Sequence, residues 1–278
     1  MKLNFIQKIL MLLNSFLLIL QLFLMGTFWD FYQYPFLNLM VPFIALINIF
    51  FLVFWVFKLK WPFFLFIFSL LIGFNEWGKL YKLPNNAIPV SSGIKVMSFN
   101  VRLFNRYQWS EASDIPESIE RFIKSEDPDV VCLQEYSRVS SPKFKNYPYQ
   151  YIRPSKKNRQ NGLCILSKYK LFNRNFLEFE NSNNCAISAD IFYKKDTVRV
   201  YNVHLESLSI NLNDTLFTQQ HSQKFVKRIQ GVIEKQYGQV DQFLSVDQKN
   251  PHSSIVCTDL NNNAFSQSYE RLKSDRYD

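Results

Sequence analysis

The chain has 278 residues, of which 32 are basic and 23 acidic, giving a formal net charge of +9. This length exceeds the roughly 100–200 residues of an ordinary domain, which argues against a single small domain. The excess of positive charge favours anionic partners such as nucleic acid, phosphorylated metabolites or lipid headgroups. Charge alone identifies none of them, and a solvated basic surface is the alternative interpretation.

The composition changes sharply near Trp77, and this change predicts two parts. Residues 1–78 carry only four basic and two acidic side chains within long apolar stretches. A bilayer core about 30 Å thick needs about 20 helical residues to cross it. We therefore predict a transmembrane anchor over residues 1–78, with two or three helices at about 9–29, 35–57 and 61–77.

The third apolar segment decides on which side of the membrane the rest of the chain lies. It is short, so it either crosses with flanking Trp and Lys side chains at the interfaces or lies along the surface. Lys2 and Lys8 precede the first helix, and Lys58 and Lys60 follow the second, which places the N-terminus in the cytoplasm. Two crossings keep the following domain inside. Three put it outside, so we expect a multi-pass cell-membrane protein with an extracytoplasmic domain.

Residues 79–93 are rich in Pro, Asn and Ser and predict a linker. After this linker, both strands and helices are predicted across residues 94–278. The predicted strands are 95–100, 130–133, 149–153, 162–166, 185–193, 197–204 and 254–257. Three helices are predicted. The first begins at the capping box of Asp114 and Glu117, the second contains Phe225 to Ile233, and the third begins after Ser266. This order predicts an α+β layered sandwich of two mostly antiparallel sheets flanked by helices, after the N-terminal helical anchor.

The four cysteines lie singly in separate apolar runs, at Cys132, Cys164, Cys185 and Cys257. They lack the paired spacing of a zinc site, so isolated buried thiols are the better interpretation. A disulfide stays open if the domain is extracytoplasmic.

Two polar residues at strand ends suit a metal site. Glu135 follows the apolar run Val130 to Leu133, so its carboxylate lies at the rim of a core. A hard cation such as Mg²⁺ binds few protein oxygens and keeps positions open for water and phosphate. Glu135 suits that role, with the Asn100 amide as a second ligand or an orienting group. Alone, the glutamate also fits a solvated strand end, and the asparagine also fits a turn.

Three further residues suit phosphate chemistry. His204 ends an alternating strand, where an imidazole can donate a hydrogen bond to a phosphate oxygen. Asp259 and Asn261 occupy alternate positions after an apolar strand, so both side chains point to one face. A carboxylate there can orient or deprotonate water while the amide bonds the phosphoryl group. A structural histidine and a simple Asp-x-Asn turn are the alternatives.

Taken in order, these motifs resemble the endonuclease/exonuclease/phosphatase superfamily, the fold of pancreatic deoxyribonuclease. The resemblance spans Ile94 to about Leu272. The matching segments read Ser98-Phe99-Asn100-Val101-Arg102, Asp127-Pro128-Asp129-Val130-Val131-Cys132-Leu133-Gln134-Glu135, Gly162-Leu163-Cys164-Ile165-Leu166-Ser167-Lys168, Asn202-Val203-His204-Leu205 and Asp259-Leu260-Asn261. The segments are most similar to those of membrane-anchored bacterial members.

The resemblance implies a membrane-anchored, divalent-metal-dependent phosphodiesterase or phosphatase that uses Mg²⁺, or Mn²⁺ or Ca²⁺. By resemblance, Glu135 binds the metal with help from Asn100, and His204 contacts the scissile phosphate. Asp259 positions or activates water, and Asn261 supports the phosphate. The expected substrate is a phosphate ester, either nucleic acid or a phosphorylated small molecule or lipid headgroup, and the lipid bilayer is the expected partner of the N-terminal helices.

The sequence departs from the family pattern in two places. Thr258 and Leu260 stand where the family reads Gly and Phe in Gly-Asp-Phe-Asn. Family members continue to an Asp-His pair, and nothing after Asn261 matches it. We therefore expect the domain to be truncated at its C-terminus. The alternative function is a catalytically impaired, truncated, membrane-anchored relative that only binds an anionic partner.

Overall fold

The computed structural model describes residues 2–25, 35–81, 93–155, 159–208 and 219–276. The chain forms two compact units, and each is described by itself. One comprises Met1–Ile88, Ile210–Ile233 and Asn262–Asp278, and the other Pro89–Ser209 and Glu234–Asn261. The predicted division into anchor, linker and domain stays a prediction, and most of the linker lies outside the described residues.

Apolar helices dominate the first unit. Helix α1 spans Phe5–Met25, and a 3-10 turn at Pro35–Met40 leads into α2, Val41–Phe57. The third apolar segment forms α3, Phe63–Ile72, and the short α4, Phe74–Trp77. Gly73 separates these two helices, and a Cβ atom there would lie 2.7 Å from Leu22 Cδ2. Helix α1 and the helical segment Phe36–Phe57, which combines the 3-10 turn with α2, are long and apolar enough to cross a membrane, by length and composition only.

Polar side chains join α1 to α2 inside this unit. Asn14 Nδ2 donates to Asn48 Oδ1 at 3.1 Å, and Asn48 Nδ2 donates to Gln21 Oε1 at 2.7 Å. Trp55 Nε1 donates to Asn14 Oδ1 at 3.2 Å. All four side chains are buried. The two helices therefore turn their amides inward and leave large apolar side chains on the outside.

The C-terminal segment belongs to the same unit. Helix α7, Gln267–Lys273, begins at Ser266, whose side chain accepts a hydrogen bond from the Tyr269 backbone N–H, as the sequence predicts. Phe265 packs in a cluster with Leu24 and Met25. Lys79 Nζ lies 2.6 Å from Glu76 and 2.5 Å from Glu270. These hydrogen bonds raise the pKa of the Lys79 ammonium even though burial acts in the opposite direction.

The second unit holds two four-stranded sheets. The strands are β1 Val96–Asn100, β2 Val130–Ser137, β3 Tyr149–Pro154, β4 Asn161–Ser167, β5 Phe172–Glu178, β6 Cys185–Tyr193, β7 Asp196–His204 and β8 Ser253–Asp259. The first sheet has the order β1-β2-β4-β3 and the second β5-β6-β7-β8. Each sheet contains one parallel pair, β1 with β2 and β7 with β8, and its other pairs are antiparallel. The predicted α+β sandwich is confirmed.

Two helices contribute to this unit. Helix α5 spans Ile115–Glu126, and α6 spans Gln219–Asp247, well beyond the predicted Phe225 to Ile233. Asp114 is the N-cap residue of α5, but the predicted capping box is wrong, because the Asp114 side chain accepts no hydrogen bond from a backbone N–H of the first turn. Asp114 Oδ2 instead accepts hydrogen bonds at 2.9 Å from Ser118 and from Arg121.

An apolar core fills this unit. Residues of both sheets form one cluster: Val130, Cys132, Leu163, Ile165, Leu171, Cys185, Ile187, Ala189, Ile191, Val200 and Cys257. A second cluster lies around Leu133, Phe104 and Ile123. All four cysteines are buried free thiols, as the sequence predicts.

Asp190 and Arg199 form a buried ion pair between β6 and β7. Arg199 donates to both carboxylate oxygens, from Nε at 2.6 Å and from Nη2 at 2.8 Å, and Asn173 Nδ2 adds a third bond at 3.0 Å. Burial acts to raise the pKa of Asp190, but these hydrogen bonds outweigh it and hold the pKa below its ordinary value of 3.8. The charged pair therefore stabilises the sheet at neutral pH.

We expect Asp190→Ala to lower the free energy of unfolding by about 3 kcal/mol at neutral pH, because it leaves a buried Arg199 charge without its partner. Urea unfolding followed by circular dichroism measures this loss. Asp196→Ala, which removes an exposed acidic residue of β7, is the matched control and should change little.

The loss of unfolding free energy in Asp190→Ala should depend on pH, and the lowered pKa of Asp190 determines the direction of that dependence. A carboxylate whose pKa falls on folding stabilises the fold above its unfolded pKa of about 3.9, and this stabilisation disappears as pH falls through the folded value. The difference between wild type and Asp190→Ala should therefore shrink as pH falls below the unfolded pKa of about 3.9. An equal difference at pH 7 and at pH 2.5 would contradict the assignment.

Candidate functional site

Parallel strand pairs bring the predicted site residues together at one edge of each sheet. Asn100 ends β1 and pairs with Gln134 of β2, and His204 ends β7 opposite Asp259 of β8. In a parallel pair the carboxyl ends of both strands meet at the same edge. Each sheet therefore contributes two neighbouring polar positions to the site.

Two buried amides join the sheets directly behind this edge. Gln134 Nε2 donates to Asn202 Oδ1 at 2.7 Å. Asn202 Nδ2 donates to two backbone carbonyls of the opposite sheet, Leu133 O and Cys164 O, both at 2.9 Å. Asn202 is fully buried and Gln134 nearly so. Since buried polar groups need partners, this network fixes how β7 lies against β2 and β4.

A β-bulge aims Glu135 toward the site. Leu133 pairs with Cys164 and Tyr136 with Gly162, so two residues of β2 face one residue of β4. Glu135 lies in this bulge with a φ of 49°, in the left-handed region. Bulges change the direction of a side chain relative to a regular strand. Here Gln134 takes the position between the sheets, and Glu135 is directed to the site edge.

Gly162 opposite the bulge permits close approach of the neighbouring strand. A Cβ atom at this position would lie 2.1 Å from the Arg153 carbonyl oxygen. Any other residue would therefore push β3 away from β4 beside the site.

Asn100 bridges the two carboxylates. Its Nδ2 donates to Glu135 Oε1 at 3.0 Å and to Asp259 Oδ2 at 2.6 Å. Its Oδ1 accepts the Arg102 backbone N–H at 2.9 Å, which fixes the orientation of the amide. A neutral donor thus holds two negative groups side by side. This arrangement supports the orienting role predicted for Asn100, and its role as a metal ligand stays a prediction.

His204 completes a three-residue cluster. Its Nε2 lies 3.6 Å from Asp259 Oδ2 and is buried without a hydrogen-bond partner among the described residues. One ligand atom each from Glu135, His204 and Asp259 lies within 4.8 Å of the others. Two carboxylate oxygens and an unpaired imidazole nitrogen form a donor set suited to a divalent cation.

Asn261 lies next to the cluster but its amide is engaged by the backbone. Asn261 Nδ2 donates to Leu205 O at 3.0 Å, and its backbone N–H donates to Asp259 Oδ1 at 3.1 Å. Leu205 N–H donates to Asp259 O at 3.0 Å. The segments that follow β7 and β8 are therefore tied together, and the predicted contact of Asn261 with phosphate stays a prediction.

Two adjoining cavities open beside the cluster. The smaller, of about 160 Å³, is lined by Glu135 and His204 among others. It shares Ser155, Asn183, Asn184 and Cys185 with a cavity of about 510 Å³. Burial raises the pKa of Cys185 to about 12, so this thiol stays protonated and is not a nucleophile at neutral pH.

Two arginines near Asn100 contact neighbouring side chains. The Arg102 guanidinium lies 4.7 Å from the centre of the Trp109 ring. Arg106 donates to Asn161 at 3.2 Å and to Gln160 at 2.5 Å.

The motifs in the sequence predicted no role for Gln134 or Asn202, although both lie in the quoted motifs. Their signal is an amide inside an otherwise apolar strand.

A sequence profile of the Endonuclease/Exonuclease/phosphatase family matches residues 97–278, about two thirds of the chain. The chain belongs to this family. The resemblance inferred from the motifs is therefore confirmed, and the match covers every candidate site residue of the family domain. A search of curated proteins gave no match.

Three solved structures illustrate what the chain is similar to. Humanized D. rerio TDP2 with 14 mutations has 19% identical residues and a TM-score of 0.44, covering 62% of this chain and 64% of that one. Sphingomyelinase C from Streptomyces griseocarneus has 19% identity and a TM-score of 0.48, covering 66% and 69%. The human Nocturnin catalytic domain with bound sulfate has 16% identity and a TM-score of 0.47, covering 65% and 68%.

The chain therefore spans just under two thirds of the TDP2 chain that it matches, 64%.

The amide link between the sheets can be tested on stability. Asn202→Val removes one acceptor of Gln134 Nε2 and the side-chain donor to two buried carbonyls, at about 1–3 kcal/mol for each group left unsatisfied. We expect the free energy of unfolding to fall by about 3 kcal/mol or more, measured by urea denaturation. Asn175→Val, at an exposed position of β5, is the control. Equal stability of both variants would show that the link contributes little.

Proposed function

We propose that this family member is a divalent-metal-dependent phosphodiesterase or phosphatase that hydrolyses phosphate esters. The observation that carries the proposal is the convergence of Glu135, His204 and Asp259, from both sheets, within 4.8 Å. Membership of a family named for nuclease and phosphatase activities supports the same reaction class. The precise substrate, nucleic acid or a phosphorylated small molecule or lipid headgroup, belongs to the proposal.

The donor set fits a divalent cation. The carboxylates of Glu135 and Asp259 lie side by side through Asn100, and the buried His204 nitrogen has no other described partner. Oxygen ligands suit Mg²⁺, Mn²⁺ and Ca²⁺, and an imidazole nitrogen favours a transition metal such as Mn²⁺ among them. When bound, such an ion supplies charge neutralisation for the phosphoryl oxygens.

The chain's own residues have separate parts in the proposed reaction. Glu135 and Asp259 bind the cation, and Asp259 also orients a water for in-line attack on phosphorus or accepts its proton. His204 Nε2 has one of two alternative parts: as a lone-pair nitrogen it would bind the cation with the carboxylates, and as an N–H donor it would contact a phosphoryl oxygen and stabilise the charge that grows there. Asn100 keeps both carboxylates in place. The larger cavity receives the alcohol portion of the ester.

The proposal predicts hydrolysis of bis-p-nitrophenyl phosphate or p-nitrophenyl phosphate by the full chain with Mg²⁺ or Mn²⁺. Glu135→Ala should lower kcat/KM by about 100-fold or more, because it removes a group that holds charge in the transition state. EDTA should abolish turnover, and added metal should restore it. Glu117→Ala, at an exposed position of α5, is the charge-matched control.

Two outcomes would count against this proposal. Turnover that persists in Glu135→Ala and in EDTA would mean that another protein or another site is responsible. No turnover in the wild type, together with retained binding of an anionic ligand in Glu135→Ala and His204→Ala, would favour the alternative of a relative that only binds.

We further propose that the first unit anchors the protein in a lipid bilayer. Its two long helices bury their amides against each other and expose large apolar side chains, the reverse of a soluble helix pair. On α1 these include Phe5, Ile9, Leu12, Phe16 and Ile19, and on α2 Phe43, Leu46, Phe50, Val53 and Phe57. Lipid is the solvent that such a surface fits.

The side of the membrane stays a prediction. Helix α3 has ten residues, about 15 Å of helix, which is half the thickness of the hydrocarbon core. Protease protection in sealed vesicles measures whether the phosphate-ester site lies outside the cytoplasm, as three crossings require, or inside, as two require.

A single charge tests the anchor. Phe50 is 65% exposed in the middle part of α2, so Phe50→Lys costs about 2.5–3.5 kcal/mol if that surface faces lipid and little if it faces water. Phe57→Lys, at the end of the same helix, is the control because its ammonium reaches the interface. We expect carbonate-resistant membrane association to fall only for Phe50→Lys. Equal behaviour of both variants would argue against insertion of α2.

A further inference from the structure

The segments that follow β7 and β8 come directly after His204 and Asp259 and lie beyond the last paired residues of the two strands. The β7–β8 pairing ends at His204 opposite Asp259. After these residues the carbonyls of both segments need donors from elsewhere, because a buried carbonyl without a partner is unfavourable. Leu205 O accepts from Asn261 Nδ2. A donor from the second half of α6 faces three further carbonyls, those of Glu206, Leu260 and Asn261.

Gln236 of α6 reaches both segments. Its side chain is fully buried. Gln236 Nε2 donates to Glu206 O at 2.7 Å, two residues after His204. The same nitrogen lies 3.4 Å from Leu260 O and 3.3 Å from Asn261 O, directly after Asp259. One amide group thus joins the two segments that hold His204 and Asp259.

Gln239, one helical turn further on, makes a number of hydrogen bonds comparable to that of Gln236. Of the two segments, however, its described hydrogen bonds reach only the one after β7. Its Oε1 accepts the Glu206 backbone N–H at 2.9 Å. Its Nε2 donates to Ser182 Oγ at 3.1 Å and to Glu206 Oε2 at 3.3 Å. Gln239 is as buried as Gln236, but within the described residues it makes no hydrogen bond to the segment after β8.

We propose that Gln236 is a positioning residue of the phosphate-ester site, acting by holding the segment after His204 against the segment after Asp259. It touches none of the three clustered ligand atoms. Its effect passes through the two backbones, whose separation sets the distance between the His204 nitrogen and the Asp259 carboxylate, 3.6 Å in the structure. The inference rests on the proposed function, and its test includes a measurement that needs no turnover.

The comparison of Gln236→Met with Gln239→Met in the full chain, in mild detergent, provides the test. Both changes keep the length of the side chain and remove buried hydrogen bonds from the same face of α6. The dissociation constant for Mn²⁺ is measured by calorimetry, kcat and KM by hydrolysis of bis-p-nitrophenyl phosphate, and folding by the thermal midpoint.

Loss of an outer partner of a metal site typically changes affinity or activity 10- to 100-fold. We expect Gln236→Met to weaken Mn²⁺ binding about 10-fold and to lower kcat by a similar factor with little change in KM. Gln239→Met should lower the thermal midpoint comparably and change Mn²⁺ affinity less than about 3-fold. Gln236→His keeps one N–H donor, should recover part of the affinity, and replaces the Met variant if that one does not fold.

The outcomes separate this inference from the proposed function. Equal Mn²⁺ affinity in wild type and both Met variants, or equal losses in both, would overturn the positioning role. A wild type that binds Mn²⁺ without hydrolysing any ester would overturn the hydrolase proposal, while the affinities would still decide the role of Gln236. A wild type that neither binds Mn²⁺ nor hydrolyses esters would overturn both.

Discussion

The hydrogen bond between Gln134 and Asn202, with the two carbonyl bonds of Asn202, is the constraint on which the site depends. Apolar contacts press two sheets together but do not define where one strand lies along another. A fully satisfied amide pair does, because any sliding of the sheets would leave several buried groups without partners. Glu135 and His204 lie one and two residues beyond this pair, so the same bonds that align the sheets also align the site.

The site combines local features that stabilise the folded chain with others that destabilise it. Two carboxylates lie close together, Glu135 has left-handed backbone geometry, and the His204 nitrogen is buried without a described partner. Each of these raises the free energy of the folded chain when considered alone. The donation of Asn100 to both carboxylates and the tie from Asn261 to Leu205 offset part of it. Concentration of such features at one place is typical of functional sites.

The sequence predicted the elements whose apolar pattern is regular. Strands β6 and β7 match the pattern because their buried residues alternate or run continuously, and α7 begins at the expected Ser266. Strand β5 was missed because four of the seven residues of Phe172–Glu178 are polar, as suits a partly exposed edge strand with a register shift. Helix α6 was predicted too short because its second half buries Gln236 and Gln239, which interrupt the apolar repeat.

The site residues could be predicted as a set, but not their contacts. Strand ends and motif order led to Asn100, Glu135, His204 and Asp259, which the structure brings together. The bulge at Glu135 and the engagement of the Asn261 amide by Leu205 depend on pairing between distant strands. No local pattern in the sequence encodes such pairings.

The division of the ligand atoms between two sheets has a consequence for folding. Glu135 belongs to the first sheet, and His204 and Asp259 belong to the second. Neither sheet alone, nor an intermediate in which the sheets are formed but unpacked, holds all three ligands. On the proposed function, the three ligands of a divalent ion therefore come together only when the sandwich has closed, and the proposed hydrolysis requires that step.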